Sequence, residues 1–241
     1  MISIVLERLR QQYRTMAYPD APPPEPPERW RGMPVVPPEA TASAENVCPT
    51  GAFAAGRLDA GKCIFCGACG VMFSRDYALS RFTRDDLLVT AEKKEPAPAS
   101  DRVRRIRSLF GRSLKLRQVS AGGCNACEAD CNVLGTPAWD MGRFGISFVA
   151  SPRHADGILV TGPVTDNMKL ALEKTYAAVP APKIVIAAGA CAVSGGLYGD
   201  GSAHGVLDSI APVDLYIPGC PPHPLTILEG LLRLIGRVED I

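Results

Sequence analysis

Four cysteines in the first half of this 241-residue chain have the type and spacing of iron–sulfur ligands. Cys63, Cys66 and Cys69 form a C-x2-C-x2-C run, and three thiolates at this spacing can hold one face of a [4Fe–4S] cube on a short loop. Cys48, followed by Pro49, is the candidate for the fourth ligand, because such a cluster takes one thiolate from a separate Cys-Pro segment. A structural zinc ion bound by the same four thiolates is the alternative.

A second set of four cysteines is spread over the rest of the chain. Cys124 and Cys127 form a C-x2-C pair, whereas Cys191 and Cys220 each lie alone beside a glycine-containing segment. All three segments follow apolar runs that read as strands, and open α/β sheets place ligand sites at the carboxyl ends of their strands. Glycines let the backbone approach a cluster and donate N–H groups to its sulfides. The sequence therefore predicts a second [4Fe–4S] site, with buried structural cysteines as the alternative.

The elements that must position the second set alternate between strands and helices from residue 113 onward. Several of the strands are almost continuously apolar, which is typical of a parallel sheet covered on both faces. The predicted fold class is α/β, with a C-terminal flavodoxin-like parallel sheet domain preceded by a small α+β unit. Strands are predicted over 114–119, 146–150, 157–160, 184–188 and 215–217, and helices near 128–134, 166–178 and 224–234.

The segments ahead of and between the cysteine sets have their own patterns. Residues 1–18 place apolar side chains on one stripe at helical spacing, which predicts an amphipathic helix that packs on this chain or docks on a partner or membrane surface. Residues 19–38 hold nine of the 22 prolines and read as an extended strap. Residues 102–112 carry five arginines and are interpreted as a solvated or partner-facing helix rather than a nucleic-acid site.

Composition and the N-terminus bound the compartment and the partners. The net charge of +1 gives no strong attraction to nucleic acid, and no apolar run approaches the roughly 18 residues of a transmembrane helix. Glu7, Arg8 and Arg10 interrupt the N-terminal apolar residues, unlike a signal peptide, so we expect a cytoplasmic protein whose thiols serve as metal ligands or redox groups. The odd total of nine cysteines leaves Cys131 over, as a packing thiol or a modifier of the second cluster.

The first cysteine set carries a family resemblance. The C-x2-C-x2-C run and the upstream Cys-Pro-Thr-Gly-Ala resemble the bacterial two-cluster ferredoxin domain over about residues 30–80. The resemblance implies a second cluster whose four ligand positions are all occupied by other residues here, so it implies a ferredoxin-like unit that retains one cluster. The four positions without cysteine are Pro38, Thr41, Ala44 and Phe73.

Six stretches of the second half carry another resemblance. They are Cys-Asn-Ala-Cys-Glu from 124, Arg-Phe-Gly-Ile from 143, Ser-Pro-Arg-His-Ala-Asp from 151, Val-Thr-Gly-Pro-Val-Thr from 160, Gly-Ala-Cys from 189 and Ile-Pro-Gly-Cys-Pro-Pro from 217. Together they make residues 113–236 resemble the small subunit of group 4, formate hydrogenlyase-type [NiFe] hydrogenases and its complex I homologue. The C-x2-C spacing and His154 favour the hydrogenase branch. Asp130 and Cys131 depart from the family pattern of a glutamate and an apolar residue.

The front half resembles the separate ferredoxin-like subunit of the same complexes, through its amphipathic start, its proline strap and the segment Arg-Gly-Met-Pro from residue 31. The chain would then be a fusion of that subunit with the small hydrogenase subunit. The implied domains are a helix and strap (1–38), a ferredoxin-like domain (39–91), a linker with a basic helix (92–112) and a small-subunit-like domain (113–241).

The resemblance implies an electron-transfer subunit of a membrane-associated oxidoreductase complex, with two [4Fe–4S] clusters and no catalytic centre of its own. Its implied partners are a hydrogenase-like large subunit, membrane-embedded subunits reached through the N-terminal helix, and a soluble electron donor or acceptor protein, with no nucleic acid. Such a chain would lie peripherally on the inner face of the cell membrane. The alternatives are a complex I-related complex without hydrogenase activity and a non-catalytic redox sensor.

Several other polar residues have two interpretations each. Arg153 and His154 either raise the potential of a nearby cluster or brace their loop. Glu128 is either part of a proton route, as the resemblance implies, or a first-turn glutamate favoured by the helix dipole. His223 is expected to be structural. Three residues in a Gly- and Ser-rich loop are expected to be exposed: Asp200, His204 and Asp208.

Overall fold

The computed structural model describes most of the chain, including all eight candidate ligand cysteines. Pro38, Thr41 and Ala44, three of the positions without cysteine, lie outside the described residues, as do Asp200 and Asp208. The described residues are 2–12, 14–37, 46–92, 96, 99–199, 201–206 and 212–240.

The chain begins with a helix, α1 (Ile2–Gln11). This helix is shorter than the stripe predicted over 1–18, because the backbone enters the left-handed region at Gln12, with φ of 53°, and a right-handed helix cannot continue through it. Its apolar side chains are exposed, Ile4 at 72% and Leu9 at 68%, so this face is not buried against the rest of the described chain. No helix among the described residues is long and apolar enough to cross a membrane.

Between residues 34 and 89 the chain forms two small antiparallel sheets. The strands are β1 (Pro34–Val35), β2 (Phe53–Ala54), β3 (Arg57–Asp59), β4 (Met72–Phe73) and β5 (Leu88–Val89). β1 pairs with β4, and β3 lies between β2 and β5. Phe53, Leu58 and Val71 form a small core together with Cys63. The cysteine loop is therefore packed on the apolar side chains of the strands that flank it.

A five-stranded parallel sheet is the core of the second half. Its strands are β6 (Leu114–Ser120), β7 (Ile146–Phe148), β8 (Gly157–Thr161), β9 (Ile184–Ala188) and β10 (Leu215–Ile217). They lie in the order β10-β9-β8-β6-β7, which, counted from β6, is the 2-1-3-4-5 order of flavodoxin-like folds. The predicted parallel α/β sheet is thus confirmed, although the strand expected over 146–150 ends at Phe148.

Helices cover both faces of this sheet. After α1 the described helices are α2 (Asp101–Phe110), α3 (Ala126–Val133), α4 (Asp166–Ala178), α5 (Ala190–Ser194) and α6 (Pro224–Leu234). Side chains of α2, α3 and α6 share a core with Leu159 of β8, whereas those of α4 and α5 share a core with Ile158 and Val160. Because successive strand residues point to opposite faces, the two cores lie on opposite sides of the sheet. A site can then form only at the strand ends.

The front part of the chain is joined to the edge of the large sheet. Arg81 and Tyr216 exchange backbone hydrogen bonds of 2.9 and 2.8 Å, so residue 81 continues the sheet beyond β10 as an antiparallel bridge. Arg233 of α6 donates to the carbonyl oxygen of Ser80 at 3.0 Å. These contacts satisfy backbone groups of one half with groups of the other. The two cysteine sets are therefore carried by parts of the chain that pack together.

Candidate iron–sulfur sites

The four cysteines of the first set line one small cavity, and we call this group the N-terminal cysteine site (Cys48, Cys63, Cys66 and Cys69). Three of them lie in the loop between β3 and β4, and Cys48 lies in the turn ahead of β2. Cys63 is buried, whereas Cys66 is exposed. The structure thus brings the upstream thiol to the three thiols of the run. The ligand role of these four residues stays a prediction.

Backbone N–H groups surround the sulfur of Cys48. Ala52 donates its N–H to Cys48 Sγ at 3.2 Å, and Thr50 Oγ1 lies 3.7 Å from the same sulfur. Burial raises the pKa of the Cys48 thiol, but the N–H groups of Phe53, Thr50 and Ala52 outweigh burial and hold that pKa below its ordinary value. N–H donors aimed at a sulfur stabilise its anionic form. Cys48 is therefore prepared to act as a thiolate.

The thiol of Cys63 is shielded from water and crowded by its neighbours. Burial first, and then the adjacent thiols of Cys69, Cys48 and Cys66, raise the pKa of Cys63 to about 12, while the N–H of Phe65, 3.3 Å from Cys63 Sγ, lowers it. Four thiolates so close together repel one another unless positive charge lies between them. Iron ions supply that charge, and ligation by a metal deprotonates a thiol outright. The donor set therefore fits an iron–sulfur cluster.

The second set of cysteines gathers at the carboxyl ends of the strands, and we call it the C-terminal cysteine site (Cys124, Cys127, Cys191 and Cys220). Cys124 and Cys127 lie at the start of α3 after β6, Cys191 opens α5 after β9, and Cys220 follows β10. Burial, followed by the thiols of Cys220 and Cys124 and the carboxylate of Glu128, raises the pKa of Cys191 to about 11. Burial and Cys124 raise the pKa of Cys220. The four thiols therefore face a common region.

Two glycines keep side chains out of this region. A Cβ on Gly189, where φ is +93°, would lie 2.6 Å from Cys127 Sγ. A Cβ on Gly196 would lie 2.8 Å from Cys191 Sγ. Both distances are far below van der Waals contact, so any larger residue would displace a candidate ligand. The backbone here is built to approach sulfur closely, which fits the close packing of a loop around a cluster.

Glu128 is held beside the C-terminal cysteine site by two hydroxyl groups. Ser120 Oγ at the end of β6 and Thr161 Oγ1 at the end of β8 donate to Glu128 Oε1 at 2.6 and 2.7 Å. The carboxylate is buried, so these bonds replace lost solvation. Reasoning from the sequence missed both hydroxyls, because strand ends 8 and 33 residues away come together only in the fold. The role of Glu128 in a proton route stays a prediction.

Cys131, the leftover thiol, points into the protein core. It is fully buried, in the core that also contains Leu116 of β6 and Leu134. Burial first, then the carboxylates of Glu128 and Asp130, raise its pKa to about 12. This location supports the interpretation of Cys131 as a packing thiol.

The other polar residues singled out from the sequence lie apart from the cysteines or have structural contacts. Arg153 and His154 are exposed in the 3₁₀ turn Pro152–His154. His204 Nε2 lies 2.8 Å from Asp166 Oδ1. His223 Nδ1 accepts the N–H of Leu225 at 3.1 Å and so caps α6, as expected for a structural residue. Within the described ranges, no group of three or more His, Cys, Asp or Glu side chains could hold a single metal ion.

The loops of the two cysteine sites lie along one cleft. Ile64 and Phe65, between the first two cysteines of the run, line this cleft together with Cys220. Trp30 and His223 complete it, with 5.1 Å between their ring centroids. Nothing in the spacing of the residues predicts this proximity, because the strap, the cysteine loop and the segment after β10 are far apart in the sequence. The cleft therefore connects the two sites through a layer of apolar and aromatic side chains.

Comparison with known proteins matches the second half of the chain. The family described as NADH ubiquinone oxidoreductase, 20 Kd subunit, matches residues 124–234. The probable membrane-bound hydrogenase subunit mbhJ of Pyrococcus furiosus is 42% identical over 141 residues, covering 58% of this chain and 84% of that protein. Formate hydrogenlyase subunit 7 of Escherichia coli is 45% identical over 130 residues, covering 54% and 51%. An NADH-quinone oxidoreductase subunit of Citrifermentans bemidjiense is 44% identical over 118 residues, covering 49% and 69%.

Two solved structures are similar over 54% of the chain. The archaeal membrane-bound sulfane sulfur reductase contains a chain that is 36% identical, 73% covered, with a TM-score of 0.47. An NAD+-reducing [NiFe]-hydrogenase contains a chain that is 23% identical, 96% covered, with a TM-score of 0.43. From the family match over 124–234, and from relatives of which this chain covers most of the length, the protein belongs to the NADH ubiquinone oxidoreductase 20 kDa subunit family, which includes hydrogenase small subunits.

Proposed function

We propose that this protein is an electron-transfer subunit of a complex I-related oxidoreductase complex and that it holds one [4Fe–4S] cluster at each cysteine site. A bound cluster would take up and release single electrons, and the protein would supply binding, orientation and electrostatics. The front part would be a ferredoxin-like domain, and the part from residue 113 onward would carry the cluster nearest to the catalytic partner.

The observation that carries the proposal is the shared cleft. Phe65 lies next to the exposed thiol of Cys66 and lines the same cleft as Cys220. A relay between two clusters needs ligand loops that approach each other without intervening bulk water. Ile64, Phe65 and the segment around Cys220 meet that condition, with apolar side chains and prolines in between.

The residues of the chain have separate tasks in this proposal. N–H groups of Ala52 and Phe65 would orient the sulfurs of the N-terminal cysteine site. Gly189 and Gly196 would leave room beside the sulfurs of the C-terminal cysteine site. Glu128 would fix the end of β6 to the end of β8 and could serve as a proton acceptor facing the partner.

The partners are inferred from the relatives. Two of the similar proteins are named as subunits of a membrane-bound hydrogenase and of an NADH-quinone oxidoreductase, so we infer a large catalytic subunit docked at the C-terminal cysteine site. The exposed apolar face of α1, with Ile4, Val5 and Leu9, supports association with a membrane or its embedded subunits. A soluble electron donor or acceptor protein would then dock near the exposed Cys66.

The two clusters can be counted chemically. Protein purified without oxygen is expected to contain about eight irons and eight labile sulfides per chain. A Cys63→Ser variant and a Cys191→Ser variant are each expected to retain about four of each, from opposite sites. Cys131→Ser is the matched control and is expected to retain about eight irons. Zinc without sulfide in the purified protein would contradict the proposal.

The reaction of the complex has a second candidate. The chain is about as similar to the NADH-quinone oxidoreductase subunit, at 44% identity, as to the membrane-bound hydrogenase subunit, at 42%. A complex I-related complex without hydrogenase activity is therefore the alternative to a hydrogenase. Purification of the intact complex from its host distinguishes them: nickel and hydrogen turnover support a hydrogenase, and their absence in an active, intact complex supports the alternative.

A further inference from the structure

Arg31 lies against the loop that carries three of the four thiols of the N-terminal cysteine site. Its Nη1 donates to the carbonyl oxygen of Phe65 at 2.5 Å. Its Cζ and Nη2 atoms lie 3.3 Å from the point where a Cβ would lie on Gly67. Phe65 and Gly67 are both members of the C-x2-C-x2-C run, so the guanidinium covers the middle of that run. Arg31 reaches it from the proline strap, more than 30 residues upstream.

The guanidinium has no carboxylate partner among the described residues. Other arginines of the front part are paired, as Arg84 is with Asp59 and Arg75 is with Glu25. Arg31 instead lies over the ring of Phe73, with 5.7 Å from Cζ to the ring centroid. Phe73 in turn stacks on Phe65 at 5.9 Å between centroids. The positive charge of Arg31 is therefore not cancelled locally and is held by an aromatic pair.

The contact of Arg31 with Phe65 also fixes a strained piece of backbone. Phe65 has φ of +57°, in the left-handed region that residues with a Cβ rarely adopt. Its N–H donates to Cys63 Sγ at 3.3 Å, while its carbonyl oxygen accepts from Arg31. The two bonds hold both sides of the same residue. Loss of the guanidinium would free Phe65 to relax and would weaken the N–H···S bond.

We propose that Arg31 is a positioning residue of the N-terminal cysteine site, which orders the 63–69 loop and raises the reduction potential of the cluster held there. This inference rests on the proposed function. Reduction adds negative charge to a cluster, and a nearby cation together with N–H···S bonds stabilises the reduced form. The electrostatic part of the effect must weaken with salt, because Arg31 is solvent-exposed.

The test uses the whole chain with its iron, compared with three variants. Arg31→Gln removes the charge, Arg31→Lys keeps the charge without the planar fork, and Arg57→Gln removes an exposed arginine of β3 in the same part of the chain. Iron and sulfide are counted for each. Midpoint potentials are then measured by redox titration followed by electron paramagnetic resonance, at low and high salt, with the C-terminal cluster as internal reference.

We expect Arg31→Gln to shift the midpoint of the N-terminal cluster to a more negative potential, with the larger shift at low salt, and to leave the C-terminal cluster unchanged. Arg31→Lys should show a smaller shift, and Arg57→Gln little or none. Loss of about four irons in Arg31→Gln but not in Arg57→Gln also supports the positioning role. Full iron content with an unmoved midpoint in Arg31→Gln overturns the inference. A wild-type chain with fewer than about eight irons contradicts the proposed function itself.

Discussion

Gly230 of α6 lies directly under Ser80, so closely that a Cβ on Gly230 would come within 2.3 Å of Ser80 Oγ and 2.9 Å of Ser80 Cβ. Ser80 itself is fully buried, and its hydroxyl donates to the carbonyl oxygen of Thr226 at 3.3 Å. A glycine inside a helix is normally unfavourable. Here it allows the segment around Ser80 to enter between α6 and the edge of the sheet, which joins the parts that carry the two cysteine sites.

Gly230→Ala is expected to destabilise the protein in spite of the better helix propensity of alanine. The propensity gain is at most about 1 kcal/mol, whereas the extra methyl in a packed interface costs about 1–3 kcal/mol. The measurement is urea unfolding without oxygen. The double variant Gly230→Ala, Ser80→Gly removes both colliding atoms and should recover part of the loss. Equal stability of the single variant and the wild type would show that the interface yields easily.

Asp214→Asn is expected to lower the free energy of unfolding by about 2 kcal/mol. The Asp214 carboxylate is buried, accepts the N–H of Val185 at 2.9 Å and forms a two-pronged ion pair with Arg102, one prong at 3.0 Å. The side chain of Arg102 is 51% exposed, so screening by water reduces its share of the effect.

Asp101→Asn is the matched control for Asp214→Asn. Its ion pair with Arg104 is formed by side chains that are 96% and 62% exposed, and such pairs contribute less than about 1 kcal/mol. Urea unfolding of both variants is the measurement. Similar losses in both would show that the contact of Asp214 with the Val185 N–H contributes little.

The cap of α6 by His223 is expected to make stability depend on pH. Burial lowers the pKa of His223, and only the neutral ring can accept the N–H of Leu225 at Nδ1. A folded-state pKa below the unfolded value of about 6.5 means that the stabilisation is present above about pH 6.5 and is lost as the pH falls through the folded pKa. The loss should approach about 1 kcal/mol, the usual contribution of an N-cap.

His223→Asn separates the cap from its titration, because asparagine caps helices without a charge change. Urea midpoints of wild type and variant, measured from about pH 7 down to pH 5, should converge as His223 becomes protonated. Parallel curves for the two proteins would mean that the ring does not titrate in this range.

The sheet and the types of the candidate ligands were predictable from the sequence, whereas the contacts between the two halves were not. β8, β9 and β10 are short apolar runs whose burial leaves little choice of structure, so their predicted bounds hold to within a residue. The helix expected over 1–18 was wrong beyond Gln11, because an amphipathic pattern does not show where the backbone turns.

The basic segment was only partly predicted. Its helix exists as α2, but Arg102 and Arg107 are not free on a solvated surface, since they pair with Asp214 and Asp240. Partners that lie 112 and 133 residues away leave no periodic signal in the sequence. The same is true of Arg31 and Phe65, which lie on opposite sides of residues that the structure does not describe.

Gly189→Ala is expected to empty the C-terminal cysteine site while the N-terminal one stays filled. The added methyl would lie 2.6 Å from Cys127 Sγ, and alanine is strained at φ of +93°. The iron content should fall from about eight to about four per chain. Gly135→Ala is the control: its Cβ would meet the Asn132 carbonyl oxygen at an ordinary 3.6 Å, so about eight irons should remain. A Gly189→Ala protein with all its iron would mean that Cys127 moves aside without loss of binding, and the close approach of Gly189 would then have no part in holding a cluster.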